Sequence, residues 1–414
     1  MIRLQGVLGI LVFIGIAWLI SEKRKLVKLP AVVAGIAVQF AVAGILLYVP
    51  VFQRFFLLLN NVVLALDAAT RAGTSFVFGY LGGGPPPFML QDPGANFVLA
   101  FQSLPLLLVI GALSSLLFYW KILPYIVRAF SFALRKTLNI GGALGLGAST
   151  TIFLGLVEAP LVIKPYLNDM TRSELFSLMT TGMACVAGTV MVLYATILNG
   201  VVPDALGHIL VASFIHVAAA ITIARIMVPE TGEETAGSLM PAKTATSSMD
   251  AIVKGTSDGL TLLLNIIAML VVMVALVQLA NVILGVLPNF LGQPLTLQRI
   301  LGFIMAPVVW LFGIPWSQAQ TAGSLMGTKT ILNELLAFID MSKLPANALD
   351  PRTRLIMTYA LTSFANFGSL GILIGGFGSL APERRDEVVG LGMHAILAGT
   401  LATCMTGAVV GILV

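Results

Sequence analysis

Long apolar runs, separated by short polar or basic stretches, cover most of the chain. A run of roughly 20 residues crosses a hydrocarbon core about 30 Å thick. Such runs are placed near 5–21, 30–50, 97–120, 174–198, 206–228, 260–285, 354–377 and 388–413. Two further apolar stretches, 140–163 and 298–340, are interrupted: the first by Gly141, Gly142, Gly145, Gly147 and Gly155, the second by Gly313, Pro315, Gly323 and Gly327. Broken backbone is tolerated at membrane depth only where it is buried in protein or lines a cavity. The runs are continuous rather than alternating every second residue, which predicts helices and not barrel strands. The predicted fold class is therefore an all-α polytopic membrane protein of about eight transmembrane helices plus two re-entrant hairpins.

Composition sharpens this picture. Only 10% of the 414 residues are charged and the mean hydropathy is +1.00. A water-facing surface needs about 25% charge, so the soluble-enzyme, disordered and nucleic-acid-binding classes are excluded and no nucleic-acid partner is expected. Cys185 and Cys404 both lie inside apolar segments, without disulfide or metal-ligand spacing.

The basic residues set the topology. Lys23, Arg24, Lys25 and Lys28 follow the first run, and only Arg3 precedes it. The positive-inside rule then puts the N-terminus outside, and the cluster lies on the wrong side for a cleavable signal peptide. Lys121, Arg128, Arg135 and Lys136 precede 140–163, and Lys164 and Arg172 follow it. Both flanks read as cytoplasmic, so this segment enters and returns. By the same count 298–340 enters from outside, Lys343, Arg352 and Arg354 fall in an outer loop as a mild violation, and the C-terminus ends outside. The expected organisation is N-terminal helices and an outer loop (1–96), a first repeat (97–228) with hairpin one (140–163), a cytoplasmic polar linker (229–250), then a long helix and second repeat (251–414) with hairpin two (298–340). Gly73–Pro87 reads as a non-helical outer loop. Hairpins entering from opposite faces are the signature of an inverted repeat, whose substrate site lies near the midplane.

Few ionisable residues fall within the apolar segments. Glu158 lies in hairpin one and Glu334 in hairpin two. A carboxylate at mid-bilayer costs roughly 2.5–3.5 kcal/mol on insertion scales, and is kept where it meets water, substrate or a cation. The blander reading is a helix cap, or a partner of Lys164 or Lys329. Thr362-Ser363-Phe364-Ala365-Asn366-Phe367-Gly368-Ser369 places polar groups where lipid contact would forbid them, which predicts unwinding. The matching stretch Gly182–Val190 is less polar. Gly323–Thr330 resembles a phosphate loop but has Thr328 where glycine is required before Lys329. His208, His216 and His394 form no metal motif; structural roles are expected, with a proton relay as the alternative. Trp120, Trp310 and Trp316 suit interfacial anchoring.

The stretch TYALTSFANFGSLGILIGG (358–376), Ala381-Pro382-Glu383-Arg384-Arg385, the hairpin-one run Ile152–Leu161 and the pair Asn333-Glu334 together resemble the concentrative nucleoside transporters. The resemblance implies a homotrimer in a bacterial inner membrane that imports nucleosides with a coupling ion, Na+ or H+, by an elevator-like motion. It implies no other cofactor. It further implies that Glu334, Asn366 and Ser369 hold the ribose, that Val190 lines the base pocket and Glu158 is the base-side carboxylate, and that Phe364 and Gly155 belong to the same substrate site. Two departures stand out. The family's usual Gly-Gln-Thr-Glu is here Gly155-Leu156-Val157-Glu158, so base recognition is expected to differ from that of the pyrimidine-selective Gln-Thr relatives. The positions matching the family's sodium site are Thr151, Leu154, Cys185 and Val186, and a soft Cys suits a hard alkali cation poorly; a buried carboxylate carrying a proton is the rival. From another class, a membrane-embedded enzyme or regulatory subunit using Glu158 and Glu334 as acid and base is disfavoured, because no nucleophile–base pair accompanies them.

Overall fold

The computed structural model describes residues 2–89, 97–156, 158–237, 245–289, 292 and 294–414, and every regular element among them is helical. The chain opens with α1 (Ile2–Leu19), α2 (Leu29–Tyr48) and α3 (Pro50–Phe78). Pro at the first helical position starts α3 without a kink, since its missing N–H has no partner to lose there. This 29-residue helix corrects the expected outer loop: helix continues through Gly73 to Phe78. Thr74 explains part of it, because its hydroxyl donates back to Arg71 and across to the Gly82 carbonyl (2.8 Å). The helix ends only at Gly79, whose φ of +58° no β-branched residue would accept.

Next come α4 (Leu99–Gln102), α5 (Leu106–Tyr119) and α6 (Ile122–Leu138), then α7 (Gly142–Leu154) and α8 (Glu158–Val162). α9 (Arg172–Ala184) and α10 (Gly188–Ile197) share one apolar stretch, and α11 (Ala205–Met227) follows. The stretch 298–340 divides in three: α13 (Leu297–Trp310) follows the long α12 (Ser248–Leu284), and only α14 (Trp316–Ile331) and α15 (Glu334–Lys343) form the broken pair. α16 (Pro351–Leu361), α17 (Phe367–Leu380) and α18 (Arg385–Leu413) complete the chain.

Small residues decide how the helices group. α5 packs chiefly on α12. Gly111 faces Gly255, and a Cβ on Gly255 would meet the Gly111 carbonyl at 2.3 Å; one on Gly259 would meet the Leu107 carbonyl at 2.7 Å. Glycine-to-glycine contact is the usual way to bring helices close where lipid removes the hydrophobic drive. The other face of α12 is exposed and apolar, including Val253, Leu264, Val271 and Val282. Its 37 residues span about 55 Å, more than a bilayer core. A second group is built around α11 and α18, which pack on each other and on α9, with α1 against α18 and α2 against α11. Here too glycine sets the spacing: a Cβ on Gly35 would lie 2.0 Å from the Thr222 hydroxyl of α11.

The first part of the polar linker docks at the base of hairpin one, beside the start of α9. Glu174, fully buried, closes a capping box with Thr171 and accepts from Thr235, while the Arg225–Glu234 ion pair holds the strap from α11. Residues 238–244 lie outside the described residues.

Candidate functional site

Three interruptions of helix converge. In hairpin one, α7 stops at Gly155, whose φ of +95° admits glycine without strain. α8 then resumes. Between α9 and α10 the backbone is extended at Cys185 (φ −99°, ψ 168°). Between α16 and α17 the helix unwinds over 362–366, as the Thr/Ser/Asn cluster predicts. The two helix breaks are stitched together: the Phe364 N–H donates to the Cys185 carbonyl (3.3 Å) and the Ser363 hydroxyl to the Met183 carbonyl (3.0 Å). Ser363 also accepts from the Ala365 N–H (3.0 Å), so a buried serine satisfies backbone that a helix no longer serves.

Hairpin two delivers the carboxylate. Asn333 caps α15, its side chain accepting from the Leu336 N–H (2.9 Å), and this fixes Glu334 in the first turn, where a helix favours negative charge. Glu334 is 4% exposed. One oxygen accepts from the Tyr194 hydroxyl of α10 (2.5 Å) and the other from the Asn366 amide of α17 (3.0 Å). Asn366 in turn caps α17 by accepting from the Ser369 N–H (2.8 Å). Its amide therefore has one fixed orientation: oxygen to the helix, nitrogen to the carboxylate. Val190 is buried at the start of α10, and Phe364 is half-buried at the break. Leu156 is buried against Gly182 of α9, where a Cβ would meet its methyl at 2.5 Å.

Thus Glu334, Asn366 and Ser369 are brought together, and hairpin one lies against the breaks through Leu156 on Gly182 and the Phe153 carbonyl on Gly188. Val157 and the side chain of Glu158 lie outside the described residues. Tyr194 was not among the sequence candidates. Its signal was there: a phenol in an apolar helix needs a partner, as buried Tyr hydroxyls generally do.

At the four sodium-site positions, three of the polar groups have partners within the protein. The Thr151 hydroxyl donates to the Gly147 carbonyl (2.9 Å), the Cys185 thiol points to the Ser213 carbonyl (3.6 Å), and the Cys185 carbonyl is taken by Phe364. Leu154 and Val186 have aliphatic side chains and offer only main-chain carbonyls. Among the described residues no group of His, Cys, Asp and Glu forms a metal cluster.

Comparison with known proteins bears on this geometry. A family model described as Na+ dependent nucleoside transporter C-terminus matches residues 208–411, its N-terminal counterpart matches 8–81, and one described as nucleoside recognition matches 100–200. The nucleoside permease NupC of Helicobacter pylori is 35% identical over 99% of this chain and 98% of its own length. An uncharacterized transporter of Haemophilus influenzae is 36% identical over 99% and 98%. The fold is similar to that of CNTnw solved in an inward-facing substrate-bound state, with a TM-score of 0.90, 33% identity, and coverage of 100% of this chain and 98% of that one. A variant of CNTnw in an outward-facing state matches with a TM-score of 0.89.

Proposed function

Because the chain belongs to the Na+-dependent nucleoside transporter family, and is a multi-pass membrane transporter rather than an enzyme, we propose that it imports nucleosides by cation symport with Glu334, Asn366 and Ser369 holding the ribose. The observation that carries this reading is the buried Glu334 carboxylate held between Tyr194 and Asn366. An ionised carboxylate is acceptor-only, with about four lone-pair sites. Two are used, so two remain for a vicinal diol, the one feature common to every ribonucleoside. Asn366 and Ser369 border the same carboxylate from α17.

The base lies toward Val190, Phe364, Gly155, Leu156, Val157 and Glu158. Leu156 and Val157 are aliphatic, so this side discriminates by shape and contact rather than by an amide–hydroxyl pair. The driving ion is Na+, the ion in the family description, or H+. Transport is elevator-like: the group around α11 and α18 carries the site past the α5–α12 pair, which forms the static scaffold and, as a homotrimer, the contact between protomers. Both termini face outside, in a bacterial inner membrane. Hairpin one (140–163), hairpin two with its flanking helix (298–340), the linker 229–250 and the N-terminal region 1–96 are the working parts of this scheme.

The test is uptake of radiolabelled uridine and adenosine into proteoliposomes. Accumulation of unmodified nucleoside above the outside concentration is expected, and competition by 2′,3′-dideoxy analogues should be at least about tenfold weaker, since a buried acceptor left unpaired costs about 1–3 kcal/mol. Dideoxy analogues competing as well as the parent compounds would overturn the ribose assignment.

A further inference from the structure

Outside the carboxylate site, α6 carries a surface that nothing above explains. Its buried stripe, Leu123, Val127, Ser131 and Leu134, recurs at helical spacing, and the helix packs on α7 of hairpin one. The fit is close: a Cβ on Gly145 would lie 2.8 Å from Cγ of Arg135 and 3.2 Å from the Ser131 hydroxyl oxygen. A face turned to water would be polar. The face of α6 away from hairpin one instead carries Ile122, Tyr125, Ile126 and Phe132, each 46% exposed or more. Arg128 and Arg135, two turns apart, run along one edge of it, and Lys121 and Lys136 stand at its ends. No acidic residue occurs from 121 to 138. Among the described residues none of these basic side chains closes an ion pair.

The neighbours of α6 set its depth. The apolar span containing α5 ends at Tyr119, and α6 starts at Ile122. With 17 residues and Arg128, Arg135 and Lys136 among them, α6 is too short and too charged to cross a bilayer. A second basic stretch, Lys23, Arg24, Lys25 and Lys28, lies exposed between α1 and α2. Two links bring both stretches to the end of α11. The Glu22 N–H donates to the Met227 carbonyl (2.8 Å), and the Arg225 guanidinium donates to the carbonyl of Asn139, just after α6 (3.2 Å). The carboxylates beside these links, Glu22 and Glu234, are closed on Arg172 and Arg225. The result is a positive, partly apolar surface at the level where membrane-spanning helices end. A second copy would bring the same positive charge to it. A purely acidic soluble partner would leave the apolar side chains wet. An anionic phospholipid meets both demands, with acyl chains against the apolar side chains and phosphate against the basic ones.

We propose that the exposed face of α6, with the basic stretch before α2, seats anionic phospholipid headgroups, and that lipid seated there braces hairpin one through the contact of α6 with Gly145. The seat reads charge and acyl chain together, so it prefers an anionic lipid over a zwitterionic one of the same chain length.

The experiment uses the full-length protein in a neutral detergent, titrated with phosphatidylglycerol or with phosphatidylcholine of the same acyl chains. Phosphatidylglycerol is expected to raise the unfolding midpoint and phosphatidylcholine to leave it in place. Arg128→Gln combined with Lys136→Gln should raise the half-saturating phosphatidylglycerol concentration at least about tenfold, since each basic group beside an anionic surface contributes a factor of roughly five. The charge-keeping pair Arg128→Lys and Lys136→Arg should respond as wild type does. Hydrogen exchange across 142–154 should slow when phosphatidylglycerol is added to wild type and stay unchanged in the glutamine pair. Equal stabilisation by the two lipids, or an undiminished response in the glutamine pair, overturns the seat. If the glutamine pair does not fold, salt decides on wild type: stabilisation that survives about 1 M salt, where the screening length is about 3 Å, overturns it. Polyglutamate stabilising wild type as well as phosphatidylglycerol does, or a smaller oligomer in the glutamine pair, would give the face to a soluble acidic partner or to a second copy and overturns it too. Exchange across 142–154 that ignores the lipid overturns the brace.

Discussion

At the scale of single residues, Glu334 is the position on which most depends. Burial makes its two hydrogen bonds obligatory, because a buried acceptor without donors costs more than a bond is worth when made. Glu334→Gln replaces one acceptor oxygen by a donor NH2 that faces either Tyr194 or Asn366. Nucleoside affinity, read by thermal-shift titration, is expected to fall at least about thirtyfold, an effect of about 2 kcal/mol, in line with truncating a charge-assisted bond. Tyr194→Phe removes one donor and keeps the ring against Phe338 (centroids 5.1 Å apart). It should weaken binding by roughly 3- to 30-fold with little change in thermal stability; a folded variant with unchanged affinity would remove Tyr194 from the site. Glu334, Asn366 and Ser369 were legible from sequence because a charge or amide in an apolar run is conspicuous. Tyr194 was not, since tyrosine passes as ordinary apolar filling. His216 reads as structural with a proton relay as the alternative, since nothing near it in sequence tells that both ring nitrogens are buried without a partner.

At the scale of elements, glycine and proline gave the clearest punctuation where they act locally. Gly155 marked the hairpin-one turn, and the polar cluster at 362–366 marked the broken helix. They misled where a side chain or a neighbour overrides them. Gly73 did not stop α3, because Thr74 and Gly82 close the turn beyond it. Gly313 and Pro315 mark the boundary between α13 and α14, while Gly323 and Gly327 lie inside α14 and the break within the pair falls at Leu332–Asn333. Pro307 sits inside α13. Gly155→Ala forces an L-residue into φ +95°, ψ −168°, a region left to glycine, at a cost of about 1–3 kcal/mol. Uptake is expected to drop severalfold or more while the unfolding midpoint in detergent moves little; normal uptake would show that the turn has slack. Gly255→Leu places a side chain on the Gly111 carbonyl and should lower the unfolding temperature clearly, because the α5–α12 contact has no room to give.

At the scale of the whole molecule, three connections at one end of the bundle are bound together by Arg172, which reaches Glu22 after α1 (2.7 Å) and Glu387 of α18 (3.3 Å). The hydrogen bond from Arg172 holds the Glu22 carboxyl below its ordinary value of 4.5. Its contribution to stability is therefore present above about pH 4.5 and lost as the pH falls through the lower folded value. Both side chains are about half exposed, so the contribution is at most about 1 kcal/mol. Arg172→Ala should lower the thermal midpoint slightly at pH 7 and flatten its decline in acid; an unchanged acid limb would show the contact to be idle. Grouping at this scale, with α5 on α12 and the rest around α11 and α18, was beyond the reach of hydropathy, which reports length and polarity but not which glycine meets which.

The main-chain bond from Phe364 to Cys185 has a consequence for economy of transport. It ties the unwound turn before α17 to the break between α9 and α10, so on the proposed transport cycle the two breaks travel as one. If transport is cation-coupled as proposed, slippage without cargo requires that tie to open. Phe364→Pro, which deletes the N–H, is expected to yield a leaky carrier in which ion flux continues in the absence of nucleoside.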